Sequence, residues 1–340
     1  MTARGATTPR RTLRPRTLAT AAAFLTLLLA TATATLTLGR LGIAPAELPA
    51  ALLGDAEGKN AFVLERLRGP RLIVALGVGA AFGLAGTLFQ SVTRNPLGSP
   101  DVIGIGAGAG AGAAIVALFL PGLLPVPLGA LTGAVLAMAI VYLSTGTGFR
   151  SPGRFIVAGI GVTAVAQAII QYAVYAIERD KASVLTAYVN GSLNARSWED
   201  AATIWLAVAL TAPLTALIAR DLTVGEMGDD TATALGTRPA RIRTTAVVLS
   251  IILSAAAVSA AGPIAFVSLC APQIARRCTR APGPNLAMSA LAGAFLLALA
   301  DLAAQQLPLF TTLPVGIYTM ALGGGYLGYL LLSEWRRGAL

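Results

Sequence analysis

The chemistry open to this chain is limited by the side chains that its long apolar segments contain. The 340 residues include no histidine, and no pair of carboxylates lies within an apolar segment. Imidazole acid–base catalysis and histidine metal sites are therefore excluded, and we expect no bound metal. Gln167, Gln171 and Tyr175 are spaced four residues apart and share one helix face. With Gln90 they are candidates to line a polar pathway, the alternative being hydrogen bonds between helices.

The longest hydrophilic interruption is the stretch 220–243, RDLTVGEMGDDTATALGTRPARIR. Asp229, Asp230 and Thr231 place capping groups and negative charge where a helix would begin. Gly236, followed by a proline, predicts where that helix ends. Such a helix has about two turns and is marginal on its own. We therefore expect this segment to rest on a partner surface.

These residues must be positioned by the apolar segments themselves. The chain is 56% hydrophobic and 12% charged, against about 25% charged residues in soluble domains. About 20 apolar residues suffice to cross the ~30 Å hydrocarbon layer, so we predict an all-α polytopic membrane protein with about ten transmembrane helices. The predicted spans are 18–38, 71–92, 102–120, 128–144, 155–177, 201–219, 245–261, the shorter 263–275, 286–304 and 313–332.

The spans form one transmembrane domain, residues 18–333, between a disordered basic tail at 1–17 and a short C-terminal segment at 334–340. The first apolar run is longer than the ~7–15-residue core of a signal peptide and is interpreted as a retained span. Ten crossings put both termini on one side. Lysine and arginine are about twice as frequent on that side, which is therefore predicted to be cytoplasmic. The net charge of +10 reflects these span ends, and no nucleic-acid partner is expected.

This orientation leaves a basic cluster on the outer side, against the usual bias. Arg66, Arg68 and Arg71 directly precede the second span. Lipid headgroup contact would explain them, and the sharper hypothesis is a docking point for an acidic partner outside the membrane. Asp301, near the outer end of its span, is expected to cap locally or to pair with an outer arginine.

Glycines alternate with other residues along 104–112. Their spacing does not fit a dinucleotide-binding fingerprint. Small residues allow helices in a membrane to approach closely, so we predict tight helix packing there.

Five stretches, in order, resemble one known family. RLRGPRLIVALGVGAAFGLAGTLFQSVTRNPLGSPDVIGIGAGAG (66–110) closely resembles the second and third spans of FecCD-type permeases, which serve ABC importers of iron–siderophore complexes and vitamin B12. The others are GRFIVAGIGVTAV (153–165), NGSLNARSWED (190–200), GEMGDDTATALGTR (225–238) with AGPIAFVSLCAPQIARR (261–277), and LALADLAAQQLPLFTTLPVGIYTMALGG (297–324). The resemblance covers essentially everything after residue 60 and implies the fold of an ABC type II importer permease.

The resemblance also implies partners and a location. It implies a dimer of permease subunits in the cytoplasmic membrane of a bacterium, surrounded by lipid, with two cytoplasmic ATPase subunits that hold the ATP and Mg. The chain itself would bind no cofactor and catalyse no covalent reaction. An external binding protein would dock at Arg66, Arg68 and Arg71. The segment 220–243 would couple to the ATPase through Glu226, Gly228, Asp229, Asp230, Thr231, Ala234, Leu235 and Gly236.

The chain departs from the family pattern at three positions. Gln273 stands where the family usually has histidine, and Thr312 stands where it usually has an acid. Some relatives carry arginine at the position of Gln305. Its absence here leaves docking to the 66–71 cluster and favours a heterodimer of two different permeases, with a homodimer as the alternative.

The cargo indicated by the resemblance is a ferric siderophore, because NGSLNARSW is more similar to that branch than to the vitamin B12 branch. Vitamin B12 or haem is the alternative within the family. A secondary transporter driven by an ion gradient is the alternative from another class. It is disfavoured because the spans are nearly free of the ionisable residues that such transporters carry. A membrane-embedded enzyme is disfavoured because histidine and carboxylate clusters are missing.

Overall fold

The computed structural model describes residues 15–146, 152–176, 185–307 and 313–335. This part of the chain is helical and contains no strand. The helices are α1 (Pro15–Thr37), α2 (Leu48–Leu52), α3 (Gly58–Phe62), α4 (Arg68–Thr93), α5 (Ile105–Phe119), α6 (Val126–Thr145), α7 (Pro152–Ala176), α8 (Trp198–Gly225), α9 (Asp229–Ala234), α10 (Pro239–Ala261), α11 (Val267–Thr279), α12 (Leu286–Gln306) and α13 (Val315–Trp335).

The predicted spans each correspond to one of the longer helices. Seven helical runs within the described residues are long and apolar enough to cross a membrane, and α5 is apolar but shorter. These seven contain α1, α4, α6, α7, α8, α10 and α12. The prediction of an all-α polytopic membrane protein is confirmed.

Helix ends differ from the predictions where proline, glycine and capping residues interrupt the apolar pattern. The third span begins later than predicted, because Pro100–Ile103 forms a 3-10 turn before α5. The predicted basic loop 276–285 is partly helical, since α11 continues to Thr279. The segment 40–70 contains α2, α3 and a π-helical turn, Val63–Leu67, that leads directly into α4.

The terminal segments are only partly described. Residues 15–17, predicted to be disordered, begin α1, and α13 continues to Trp335. Residues 1–14 and 336–340, and with them the rest of both predicted tails, lie outside the described residues.

Helix α4 lies at the centre of the helix bundle. Nearly all of its residues are buried, because α8, α10, α11 and α12 surround it. Its glycines allow this: a Cβ added at Gly83 would lie 2.1 Å from the carbonyl oxygen of Ser289 on α12, and one at Gly86 would lie 1.7 Å from that of Ser268 on α11. Backbone therefore packs directly against backbone around α4.

The predicted close packing of the 104–112 glycines is confirmed between α5 and α6. A Cβ at Gly112 would lie 2.1 Å from the carbonyl oxygen of Gly129, and one at Gly133 would lie 2.2 Å from that of Gly108. No side chain fits between the two helices at these positions, so glycine sets their separation.

Candidate functional site

The end of the bundle that the sequence predicts to be the outer one is held by a buried ion pair. Arg71, at the start of α4, donates from Nε to both carboxylate oxygens of Asp301 on α12, at 2.9 and 3.0 Å, and from Nη2 to one of them at 2.7 Å. Gln305 also donates to this carboxylate, at 2.8 Å, and Arg71 reaches Asn194 at 2.7 Å. The Asp301 side chain is only 2% exposed. Asp301 therefore pairs with Arg71 of the basic cluster, one of the two roles expected for it.

The Arg68 side chain is also buried and forms hydrogen bonds within the protein. Its Nη1 donates to the carbonyl oxygens of Thr35 and Leu38, both at 2.6 Å. These carbonyls lie at the C-terminal end of α1, where helical partners are lacking. Arg68 thus caps α1 and is buried.

Arg66 differs from the other two members of the basic cluster. It lies in the exposed π-helical turn before α4, and no described residue forms an ion pair with it. Of the three arginines predicted to dock a partner, the structure leaves the charge of Arg66 accessible and uses Arg68 and Arg71 chiefly to join α1, α4 and α12.

The segment predicted to couple to an ATPase forms the short helix α9, Asp229–Ala234. Gly228 precedes it with φ +113°, and Gly236 follows it with φ +82°. Both values lie in the region that favours glycine, which explains the glycine at each end. The acidic residues Asp229 and Asp230 occupy the first turn, although no side chain caps the helix.

Two arginines hold the first residue of α9. Arg94, at the end of α4, bonds to the Asp229 carboxylate and to the carbonyl oxygen of Gly225 at 3.0 Å. Arg243, on α10, donates to both oxygens of the same carboxylate, at 3.0 and 3.1 Å. The hydrogen bond from Arg94 is the main reason that the pKa of Asp229 lies below its usual range; desolvation opposes it, and the hydrogen bond and charge of Arg243 lower the pKa further.

A second ion pair holds the residue that follows α8. Arg276 on α11 donates to Glu226 at 2.8 Å, and Ser91 on α4 lies between them, 3.4 Å from the glutamate. The predicted coupling segment is thus attached to α4, α10 and α11 through charged side chains. Sequence reasoning did not pair Arg94, Arg243 or Arg276 with these carboxylates; their positions at helix ends beside an acidic segment were the available signal.

Gln90 does not line a pathway in this structure. It is 2% exposed and donates to the carbonyl oxygen of Leu269 at 3.1 Å. It also accepts from Gln273 at 2.8 Å, and Gln273 reaches the carbonyl oxygen of Pro96 at 2.9 Å. Gln90 therefore has the interhelical hydrogen-bonding role that the sequence left as the alternative. Gln273, where the family usually has histidine, completes the same network.

The other pathway candidates lie together on the molecular surface. Gln167, Gln171 and Tyr175 are all exposed along one face of α7, and Tyr175 is 91% exposed. Their grouping on one face is as predicted. This chain alone does not cover them.

A buried carboxylate at the bend between α4 and α5 was missed by sequence reasoning. Asp101 accepts from Ser99 and from Ser268 on α11, both at 2.9 Å. Burial raises the pKa of Asp101, and the two hydroxyl hydrogen bonds oppose this effect. The hydrogen bonds among Ser99, Asp101 and Ser268 join the bend to α11. The Ser-x-Asp spacing at 99–101 was its only local signal.

The described residues contain no group of three or more histidine, cysteine, aspartate or glutamate side chains that could hold a metal ion. Thr312, the third departure from the family pattern, lies outside the described residues.

Comparison with known proteins relates the chain to a family of transport proteins. Residues 26–333 match the FecCD transport family. The chain is 38% identical over 300 residues to the ferric enterobactin transport system permease protein FepG of Escherichia coli (strain K12), covering 88% of this chain and 91% of FepG. It is 35% identical over 317 residues to the achromobactin transport system permease protein CbrC of Dickeya dadantii (strain 3937), covering 91% of this chain and 90% of CbrC.

A solved structure agrees with these sequence relationships. An inward-facing transporter described as being of the metal-chelate ABC type superposes with a TM-score of 0.81 at 25% identity, covering 92% of this chain and 98% of that one. The chain therefore belongs to the FecCD transport family.

Proposed function

We propose that this chain is the transmembrane permease subunit of an ATP-driven importer that carries a ferric-siderophore complex across the cytoplasmic membrane. The names of its relatives support the transport role, and the name of FepG supports the cargo. Two ATPase subunits would bind on the inner side and a binding protein on the outer side. Both termini would be cytoplasmic.

The observation that carries this proposal is the exposed apolar surface beside α9. Its attachment to α4, α10 and α11 leaves two large apolar side chains uncovered, with Met227 67% and Leu235 62% exposed. Exposed apolar side chains beside acidic residues suit insertion into a groove of a soluble partner. A force applied to α9 would pass through the ion pairs into the helices of the bundle.

Replacing Leu235 tests the coupling role. Leu235→Asp places a charge in the contact with the ATPase, so we expect ATP-driven uptake by proteoliposomes to fall more than about tenfold, which corresponds to ~1.4 kcal/mol of lost contact. Leu235→Met keeps the apolar contact and should retain uptake. Undiminished uptake by Leu235→Asp would refute the coupling assignment.

For the outer side we propose that Arg66 contributes the accessible charge to binding-protein docking, with Arg68 and Arg71 holding the surface in place. Arg71 remains 19% exposed and could add a contact while paired with Asp301. Arg66→Glu should weaken capture of the binding protein in a pull-down with the ATPase complex intact, whereas Arg66→Lys should not. Equal capture by both variants would remove Arg66 from the docking surface.

The exposed stripe on α7 supports the proposal of a second permease subunit. Amide and phenol groups facing lipid would be costly, so the Gln167–Gln171–Tyr175 face is better placed against a partner subunit or a pathway between subunits. The cargo is tested by uptake of iron-loaded siderophores against vitamin B12 and haem. Uptake of vitamin B12 or haem with none of ferric siderophore would overturn the cargo assignment.

A further inference from the structure

An apolar groove opens between α5, α6 and α7 on the opposite side of α7 from its polar stripe. Its volume is about 650 Å³, and its lining includes Ile115 on α5, Leu136, Ile140 and Ser144 on α6, and Ala158 and Val165 on α7. Its two hydroxyl groups offer no free donor, because Ser144 donates to the carbonyl oxygen of Ile140 at 2.6 Å and Thr132 donates to that of Gly129 at 3.0 Å, both within α6. The groove therefore presents an almost wholly apolar surface.

The position of the groove on α7 separates it from the proposed pathway. At about 100° per residue, Ala158, Val162 and Ile169 lie on one side of the helix, and Gln167 and Gln171 lie roughly opposite. If the polar stripe faces a second subunit, the groove faces the lipid. An apolar groove within the membrane does not fill with water, so lipid chains are its natural occupants.

The length of the groove matches one lipid leaflet. Its lining on α6 runs from Thr132 to Ser144, which is about 18 Å at the helical rise of ~1.5 Å per residue. Half of the ~30 Å hydrocarbon core is about 15 Å. An acyl chain of a single leaflet therefore fits along it.

One end of the groove carries a positive charge. Arg154 precedes Ala158 by one helical turn and lies on the same face of α7. It is exposed and has no ion-pair partner among the described residues. Ser144 marks this end of the groove on α6, on the side of the coupling segment. A negatively charged headgroup at Arg154 would place its acyl chain in the groove.

We propose that this groove binds an anionic phospholipid of the inner leaflet, with one acyl chain between α5, α6 and α7 and the headgroup phosphate at Arg154. The assignment to the inner leaflet rests on the orientation given under the proposed function. The groove itself does not depend on the cargo or on the ATPase.

Gly161 offers a way to close the groove without disturbing the helices. It lines the groove, and a Cβ added there meets no atom within 4 Å. Gly161→Phe should therefore fill the space now open. Ala209→Phe, at an exposed position of α8, adds the same ring elsewhere on the membrane-facing surface and serves as the control.

The test is native mass spectrometry of the purified transporter titrated with phosphatidylglycerol and, separately, with phosphatidylcholine of the same chains. We expect the native protein to retain phosphatidylglycerol preferentially. Gly161→Phe should abolish this retention and Ala209→Phe should preserve it. Arg154→Gln should weaken binding about fivefold, the effect of one basic residue near an anionic surface, and Arg220→Gln, at an exposed helix end of the same side, should have no effect.

Two results would overturn the proposal. These are retention of phosphatidylglycerol by Gly161→Phe and equal binding of phosphatidylcholine by the native protein. If Gly161→Phe retains the lipid but changes the subunit stoichiometry, the groove is a protein interface. If Gly161→Phe does not assemble, Val165→Trp narrows the same groove from an exposed position and is judged by the same outcomes.

Discussion

At the residue scale, the outer arginines show how burial decides the role of a charge. A carboxylate as deeply buried as Asp301 requires a partner, because an isolated charge out of water is very costly. Arg71 is that partner and binds both carboxylate oxygens of Asp301, while Gln305 donates a further hydrogen bond to one of these oxygens. The main role of Arg71 is thus to neutralise the buried Asp301 carboxylate, and any contact that Arg71 makes outside the protein is secondary to this role.

Breaking this pair from one side should be more damaging than removing it altogether. Arg71→Gln leaves Asp301 buried without its counter-ion, and we expect the free energy of unfolding in detergent to fall by about 3–5 kcal/mol. The double variant Arg71→Gln/Asp301→Asn removes both charges and should recover most of this loss. If the double variant is as unstable as the single one, the ion pair is not the source of the stability.

The lowered pKa of Asp229 allows us to predict how pH changes the stability of the proposed coupling segment. Arg94 and Arg243 lower its pKa in the folded protein, so its ionised form is the stabilising one. Its contribution is complete above the ordinary aspartate pKa of about 4 and is lost as pH falls through the lower, folded value. We expect hydrogen-exchange protection of residues 226–236 to be constant from about pH 8 to about pH 5 and to decline only below about pH 4.

Asp229→Asn provides the comparison for this pH dependence. The amide cannot form the two ion pairs, so the segment should show reduced protection at every pH, with no further step on acidification. Loss of protection in the native protein already between about pH 7 and about pH 5, well above the range of this carboxylate, would assign the effect to another group.

At the scale of elements, glycine spacing governs how closely the helices can approach one another. Along α4, glycines at 79, 83 and 86 admit the backbones of α11 and α12. The same arrangement joins α5 to α6. These contacts make α4 the closely packed centre to which the Arg71–Asp301 pair, at one end, and the ion pairs of Asp229 and Glu226, at the other end, are both attached.

A single methyl group should therefore separate α4 from α12. In Gly83→Ala the new Cβ would lie 2.1 Å from the Ser289 carbonyl oxygen, so the backbones must move apart, and we expect a loss of about 1–3 kcal/mol in the free energy of unfolding. Gly161→Ala, where the added Cβ meets open space, should gain about 0.5–1 kcal/mol from helix propensity. Equal effects of the two substitutions would contradict the close approach.

At the scale of the whole molecule, the surface of the chain is not complete by itself. The α7 stripe exposes polar side chains along a membrane helix, and Met227 and Leu235, on either side of α9, expose apolar ones. Each surface has the wrong polarity for the solvent that would surround it in an isolated subunit. Both therefore favour an assembly, with a permease partner at α7 and an ATPase at α9.

We expect this assembly to require a second, different permease. Proteoliposomes containing this chain, the ATPase and the binding protein should show no siderophore uptake, because the companion half of the pathway is missing. Adding the companion permease should restore uptake. Full activity from the three-component mixture would instead indicate a homodimer.

Much of the architecture was predictable because membranes simplify the problem. Long apolar runs must be helical in lipid, since every backbone polar group needs an internal partner. The short helix at Asp229 and its end shortly before Gly236 were likewise predictable from the acidic residues of its first turn and from glycine turn chemistry, although no side chain caps it. The extension of α11 to Thr279 was not predictable, because the sequence pattern of arginines at a helix end does not differ from that of arginines in a loop.

The sequence by itself determined the helical membrane fold, the segments that make up the bundle, the short acidic helix on one side and the arginine cluster on the other. Only the tertiary structure decided which arginine of the cluster stays exposed, that Asp301 pairs with Arg71, that Gln90 pairs with Gln273, and that a groove lies behind the polar face of α7. The physical reason is distance along the chain. Apolar length and capping act over a few residues, whereas Arg71 and Asp301, or Arg94 and Asp229, meet only after the helices between them have packed.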